Sequence, residues 1–156
     1  QRYTETFDRS ALTAAPLSGL VILACMDARL DVEEALGLRT GDAHIIRNAG
    51  GLATDDAIRS IAVSQHVLGT DEIVVIEHTG CGLHGADPAV LRERIAHAVG
   101  ADPATVAPGL EFGEFADLEA NLRAQVERLR GHPLLRPVPI HGLIFDVATG
   151  RLHEIA

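Results

Sequence analysis

The chain has 156 residues, 47% of them apolar and only 3% aromatic, with 22 acidic against 13 basic residues and a formal net charge of −9. That length suits one domain spanning 1–156, with enough apolar content for its own core. The acidic excess argues against nucleic acid or an anionic membrane as partner, and since all 13 bases are Arg, Schiff-base chemistry on a lysine is excluded.

The opening segment to about Ala15 has a poor periodic pattern, and a helix is the only element it suggests. "GLVILACM" at 19–26 is continuously apolar, as in a strand covered on both faces. "DVEEALGL" at 31–38 predicts a short helix with acids in its first turn, where the helix dipole favours them. "AHIIRNAG" at 43–50 reads as a second strand running into Gly50 and Gly51. The spacing then predicts a helix over 54–69, capped by Thr54, with Ile58, Ile61, Ala62 and Leu68 on its apolar face and Gly69 at its stop. "EIVVIEHT" at 72–79 is a third, β-branched strand, and 87–100 a helix with Pro88 in its first turn and Gly100 past its end.

A loop is expected at 107–113 and a helix over 114–130, where Phe115, Leu118, Leu122, Val126 and Leu129 recur every three or four residues. "VPIHGLIFDV" at 138–147 reads as a fourth strand, and "ATG" turns into "RLHEI", an edge strand. Strands separated by helices imply an α/β fold: a central, mostly parallel sheet of about four or five strands flanked by helices. Ligands in such sheets bind beyond the carboxyl ends of the strands.

Those ends carry the chemistry. Cys25 closes the first strand, and His78 and Cys81 close the third in "EHTGCG". A His-x-x-Cys turn, eased by Gly80 and Gly82, lets two ligands reach one ion. A buried Cys is most often a small hydrophobe, but the three together suit Zn²⁺, which takes sulfur and nitrogen donors tetrahedrally. Three protein ligands leave a fourth position open, as in catalytic sites; His84 is the one rival ligand in sequence reach, and a candidate proton shuttle. Two cysteines cannot build a disulfide framework and suit a reducing compartment, so a cytoplasmic location is expected. No apolar run approaches the ~20 residues of a membrane span, and "QRYTETFDRS" does not read as a signal peptide.

Asp27 and Arg29 follow Cys25 at a spacing that lets a carboxylate and a guanidinium pair, keeping Asp27 ionised. Alone this would be a surface ion pair worth ~0–1 kcal/mol; beside a metal, Asp27 can accept a hydrogen bond from metal-bound water, or swing in as a fourth ligand and close the site. Asn48, Gly50, Gly51 and Gly82 are candidates for the substrate pocket, with a plain glycine turn as the alternative at 50–51.

"CMDARL" (25–30), "RNAGG" (47–51) with "TDDAIRSI" (54–61), and "HTGCG" (78–82), continuing to "GLIFDVATGRL" (142–152), resemble the β-class carbonic anhydrases, in particular their short bacterial branch. The resemblance implies that Cys25, His78 and Cys81 bind zinc, that Asp27 and Arg29 form the catalytic dyad, and that zinc-bound hydroxide hydrates carbon dioxide to bicarbonate and a proton. It also implies a homodimer or larger homo-oligomer, with residues 1–18 as an N-terminal arm on a partner chain and the active site near the interface. Plant-type members carry a pocket glutamine and aromatics that have no counterpart placed here. Two alternatives stand beside this reading: a carbonyl sulfide or carbon disulfide hydrolase on the same ligands, and a non-catalytic zinc or thiol-sensing module.

Overall fold

The computed structural model describes residues 2–106 and 108–156. Gln1 of the expected arm and Ala107 of the expected loop lie outside them.

Five strands make one sheet: β1 (Leu20–Cys25), β2 (Ala43–Asn48), β3 (Glu72–His78), β4 (Ile140–Phe145) and β5 (Leu152–Glu154), in the order β2-β1-β3-β4-β5. The first four run parallel and β5 pairs antiparallel on β4. The continuous apolar run of β1 is explained by its place between β2 and β3, where Val21, Ile22, Leu23 and Ala24 are wholly buried. Alternation along β1 and β3 divides the core in two. Val21, Leu23, Ile73 and Val75 pack under α3 (Asp55–Val67) and α5 (Leu118–Arg130). On the opposite face Ile22, Ala24, Val74 and Ile76 pack with Leu30, with Val32 of α2 (Val32–Leu36) and with Phe145. Each buried Val, Leu, Ile or Phe among them contributes roughly 1.5–3 kcal/mol by leaving water.

From β1 the chain moves outward to β2; from β3 it moves the other way to β4. The crevice between the carboxyl ends of β1 and β3 is therefore the topological switch point, where side chains from two loops diverge and leave room for a ligand. Cys25 and His78 are the last residues of these two strands.

The helices start where their caps begin. The side chains of Asp31, Thr54, Asp87 and Asp117 each accept a first-turn amide of the helix that follows. Two readings shift. The buried side of α3 consists of Ala57, Ile58, Ile61, Ser64 and Gln65, not of Ala62 and Leu68. Most of the polar atoms of this pair are bonded: Ser64 Oγ lies 2.7 Å from His44 Nδ1 and 2.9 Å from Thr70 Oγ1, and Gln65 Oε1 accepts the Arg136 N–H at 2.9 Å, while Gln65 Nε2 is buried without a hydrogen-bond partner. Phe115 lies ahead of α5 and forms an isolated bridge with His84. α4 (Pro88–Val99) sits away from the sheet and buries only Ala96. Among the described residues ahead of β1, only α1 (Arg2–Glu5) is helical. No helix among the described residues is long and apolar enough to cross a membrane.

Candidate metal centre

Parallel register brings the sulfur and nitrogen donors together. β1 pairs with β3 up to Ala24 opposite Ile76, so Cys25 falls level with Glu77 and His78 follows one residue beyond. The turn after β3, with Gly80 at φ +66°, then folds Cys81 back. One donor atom each from Cys25, His78 and Cys81 lies within 4.8 Å of the others, and all three residues are buried. Both thiols are free.

His78 is oriented before any ion arrives. Its Nδ1–H donates to the Thr79 carbonyl at 2.9 Å, which leaves the lone pair on Nε2. Nε2 is buried with no hydrogen-bond partner. An orphaned acceptor of this kind in a native core calls for a ligand. Burial opposes ionisation of Cys25, but the adjoining His78 imidazole and the backbone N–H groups of Asp27 and Gly50 outweigh it and bring the thiol down to about 7. Burial pushes the Cys81 thiol up, and the neighbouring Cys25 adds to this.

Asp27 and Arg29 form a two-pronged pair: Arg29 Nε donates to Oδ1 at 2.9 Å and an Nη2 hydrogen to Oδ2 at 2.8 Å, and the Arg29 backbone N–H also reaches Oδ1 at 2.9 Å. These bonds hold the Asp27 carboxyl well below the usual carboxylate range. Arg29 Nη2 further donates to the Gly80 carbonyl at 3.1 Å, tying the pair to the turn that carries Cys81. Asp27 Oδ2 lies 3.7 Å from His78 Nε2. A carboxylate fixed in its ionised form thus stands beside the three donors while both of its oxygens are engaged by Arg29.

The remaining candidates divide. Asn48 is occupied locally: it donates to the Leu52 carbonyl at 2.7 Å and accepts the Leu52 N–H at 2.8 Å, clamping its own loop. It also lines a cavity of about 390 Å³ together with Leu52, Ala53, Phe112, Asn121 and Gln125. Gly50 and Gly51 are buried, and a Cβ on Gly51 would stand 2.9 Å from both the Cys25 nitrogen and the Ile76 oxygen. Gly82 is exposed, with open space beside it. His84 is not among the donors: it stacks on Phe115 and its Nε2 lies 3.1 Å from the Ala116 carbonyl.

Two features escaped the sequence reading. Arg47 donates to the carbonyls of Cys25 at 3.0 Å and of Asp27 at 2.7 Å, so β2 holds the backbone of the loop that carries both. Its signal was its place in "RNAGG". Glu77 is 1% exposed, and burial, opposed in part by an Asn121 hydrogen bond, raises its carboxyl to about 7. A lone acid inside the apolar run of β3 was the signal there.

A mostly parallel α/β sheet with two thiols and an imidazole at its switch point defines a centre that could hold a metal ion. The sequence profile of the family described as "Carbonic anhydrase" matches residues 20–152. Beta-carbonic anhydrase 1 of Mycobacterium tuberculosis is 39% identical over 148 residues, which cover 94% of this chain and 88% of that protein. A carbon disulfide hydrolase of Acidithiobacillus thiooxidans is 41% identical over 149 residues, covering 85% and 75%. The crystal structure of a carbonic anhydrase from Streptococcus mutans superposes with a TM-score of 0.91 at 41% identity, covering 100% of this chain and 92% of that one. The chain belongs to the β-carbonic anhydrase family.

Proposed function

We propose that this chain catalyses the reversible hydration of carbon dioxide to bicarbonate and a proton, with zinc held by Cys25, His78 and Cys81. The donor set supports the metal: two thiols and one free imidazole nitrogen, with mutual spacing within 4.8 Å, fit a tetrahedral ion whose own ligands stand under about 4 Å apart. Zinc, when bound, supplies a Lewis acid that makes water nucleophilic near neutral pH.

The chain's own residues do the rest. The observation that carries the proposal is the Asp27 carboxylate, gripped by Arg29 with Oδ2 3.7 Å from His78 Nε2. Held ionised, Asp27 accepts a hydrogen bond from the reacting water and so turns that water's lone pair toward the carbon of the substrate. Arg29 engages both Asp27 oxygens, which favours an open site over one closed by Asp27 as a fourth ligand. Arg47 keeps the loop from drifting, through the carbonyls of Cys25 and Asp27. Stopped-flow hydration of carbon dioxide by zinc-loaded protein tests the reading; stoichiometric zinc with no hydration at any pH would reject it, and the absence of sulfide release as well would leave a non-catalytic zinc module.

One finding favours a second reading. The 41% identity to a carbon disulfide hydrolase, over 85% of this chain, stands beside the 39% to beta-carbonic anhydrase 1 over 94% of it. Hydrolysis of carbonyl sulfide or carbon disulfide needs the same water and the same carboxylate, and differs in the shape of the pocket. Assaying carbon dioxide hydration and sulfide release on one preparation separates the two.

We further propose that the single domain works as a homodimer or larger homo-oligomer, with residues 2–18 as an arm on a second copy. Tyr3, Phe7, Leu17 and, next to the centre, Met26 stand exposed in one chain, which is apolar surface suited to such a contact. Two adjacent free thiols suit the reducing cytoplasm.

A further inference from the structure

Glu77 is an expensive residue where it stands. Its neighbours on the same face of β3, Ile73 and Val75, are wholly buried hydrophobes, and a carboxyl in their company costs stability unless its oxygens are used. Oε1 accepts the Asn121 side-chain N–H at 2.7 Å, while Oε2 is buried with no hydrogen-bond partner among the described residues, so the Asn121 bond is the one that anchors the carboxyl. Asn121 Oδ1 accepts the Gln125 side-chain N–H at 3.2 Å, and Gln125 Oε1 accepts the Ala53 backbone N–H at 2.9 Å. Asn121 and Gln125 are one turn apart on α5 and share a face. Three side chains thus make a continuous ladder from β3, one residue before His78, to the loop that follows β2.

That loop has no slack. Asn48 clamps both polar groups of Leu52. Gly51 is packed so closely on Cys25 and Ile76 that a Cβ would sit 2.9 Å from the backbone of each. A displacement at Ala53 is therefore passed to Gly51 and on to the backbone of Cys25. At the other end, a displacement at Glu77 moves His78. The ladder on α5 spans the rear of both ligand-bearing strand ends.

We propose that Asn121 and Gln125 are positioning residues for the metal centre, whose amide ladder from Glu77 to Ala53 sets His78 against Cys25 and so sets the affinity for the ion. This rests on the reading of Cys25, His78 and Cys81 as the metal site. It assigns α5, beyond its apolar packing face, a role in the centre that its remoteness conceals.

The test is a zinc dissociation constant measured by competition with a chromogenic chelator, alongside the ligand-field spectrum of the cobalt-substituted protein and the thermal midpoint of the metal-free form. Asn121→Asp sets two acceptors against each other; adding Glu77→Gln restores a donor facing an acceptor. Zinc binding should weaken about tenfold in Asn121→Asp, at the low end for outer-shell partners, and return to within about twofold of wild type in the double variant. The cobalt spectrum should shift and return with it. Gln125→Met, which keeps the volume and removes both bonds, should weaken zinc to a similar extent and carries the test should Asn121→Asp fail to fold.

A merely structural ladder would lower the thermal midpoint and leave affinity and spectrum untouched; that result overturns the proposal, as does a double variant that folds but does not recover. Wild-type protein that takes up no stoichiometric zinc would bring down the metal site itself, whereas zinc-competent wild type with unaffected variants would bring down the ladder alone.

Discussion

Asp27 and Arg29 meet through two side-chain hydrogen bonds of 2.9 and 2.8 Å, and the same guanidinium continues to the Gly80 carbonyl. A pair only two residues apart thereby reaches across to the turn that bears Cys81. Its geometry is planar and forked, which is a property of Arg that Lys lacks. Asp27→Asn should leave zinc stoichiometric and lower kcat about 10²-fold or more, the scale of a lost proton-handling group. Arg29→Lys keeps the charge and loses the fork, and should also lower kcat with metal retained. Stopped-flow rates with metal analysis on the same samples decide; hydration at the wild-type rate in zinc-loaded Asp27→Asn would refute the role given to Asp27.

Removing a ligand differs from removing the carboxylate. Cys25→Ser, Cys81→Ser or His78→Ala should each cost the protein its stoichiometric zinc, because the donors come from two separated segments and no fourth side chain joins the cluster among the described residues. Atomic absorption after dialysis reads this out. Full zinc retention in any one of the three would remove that residue from the set.

Gly51 is the tightest point behind the centre. At φ +69°, with the Cys25 nitrogen and the Ile76 oxygen 2.9 Å from where a Cβ would be, Gly51→Ala combines strained backbone with a clash on two strands. It should destabilise the chain by about 1–3 kcal/mol and weaken zinc together with stability. Gly85→Ala is the control: its φ is also +69°, yet nothing lies within 4 Å. Urea midpoints should separate the two, and equal losses would mean that backbone strain alone accounts for Gly51.

Asp146 holds the turn between β4 and β5. It accepts the Ala148 N–H at 2.8 Å and the Thr149 hydroxyl at 2.9 Å, and these bonds lower its carboxyl from the ordinary 3.8. A depressed acid stabilises the fold above its unfolded value and loses that contribution as pH falls through the folded one. Asp146→Ala should therefore lower the thermal midpoint at pH 7, and the gap to wild type should close on acidification below about pH 4. A gap independent of pH would assign the loss to the turn backbone instead.

Much of this molecule was written in short range. β1, β3, α2 and α4 were legible because apolar runs, cap residues and Pro88 or Gly100 act within a few residues of themselves. The Cys-x-Asp-x-Arg and His-x-x-Cys spacings were legible for the same reason, since each group lies on one turn. The reading failed where a side chain answers to a distant partner. Phe115 has helical spacing but pairs with His84, and Ser64 and Gln65 look solvent-facing until His44 and Arg136 arrive from elsewhere.

By itself, then, the sequence determined the donor types, the Asp27–Arg29 pair and the α/β alternation, all of which depend on neighbours along the chain. Only the tertiary structure decided that β1 and β3 lie side by side with their carboxyl ends level, that Arg47 grips the Cys25 loop from β2, and that Asn121 and Gln125 reach Glu77 and Ala53 from α5. Strand order and register are set by the summed burial of both sheet faces, a quantity no local pattern contains, and every contact that aims the centre inherits its geometry from that sum.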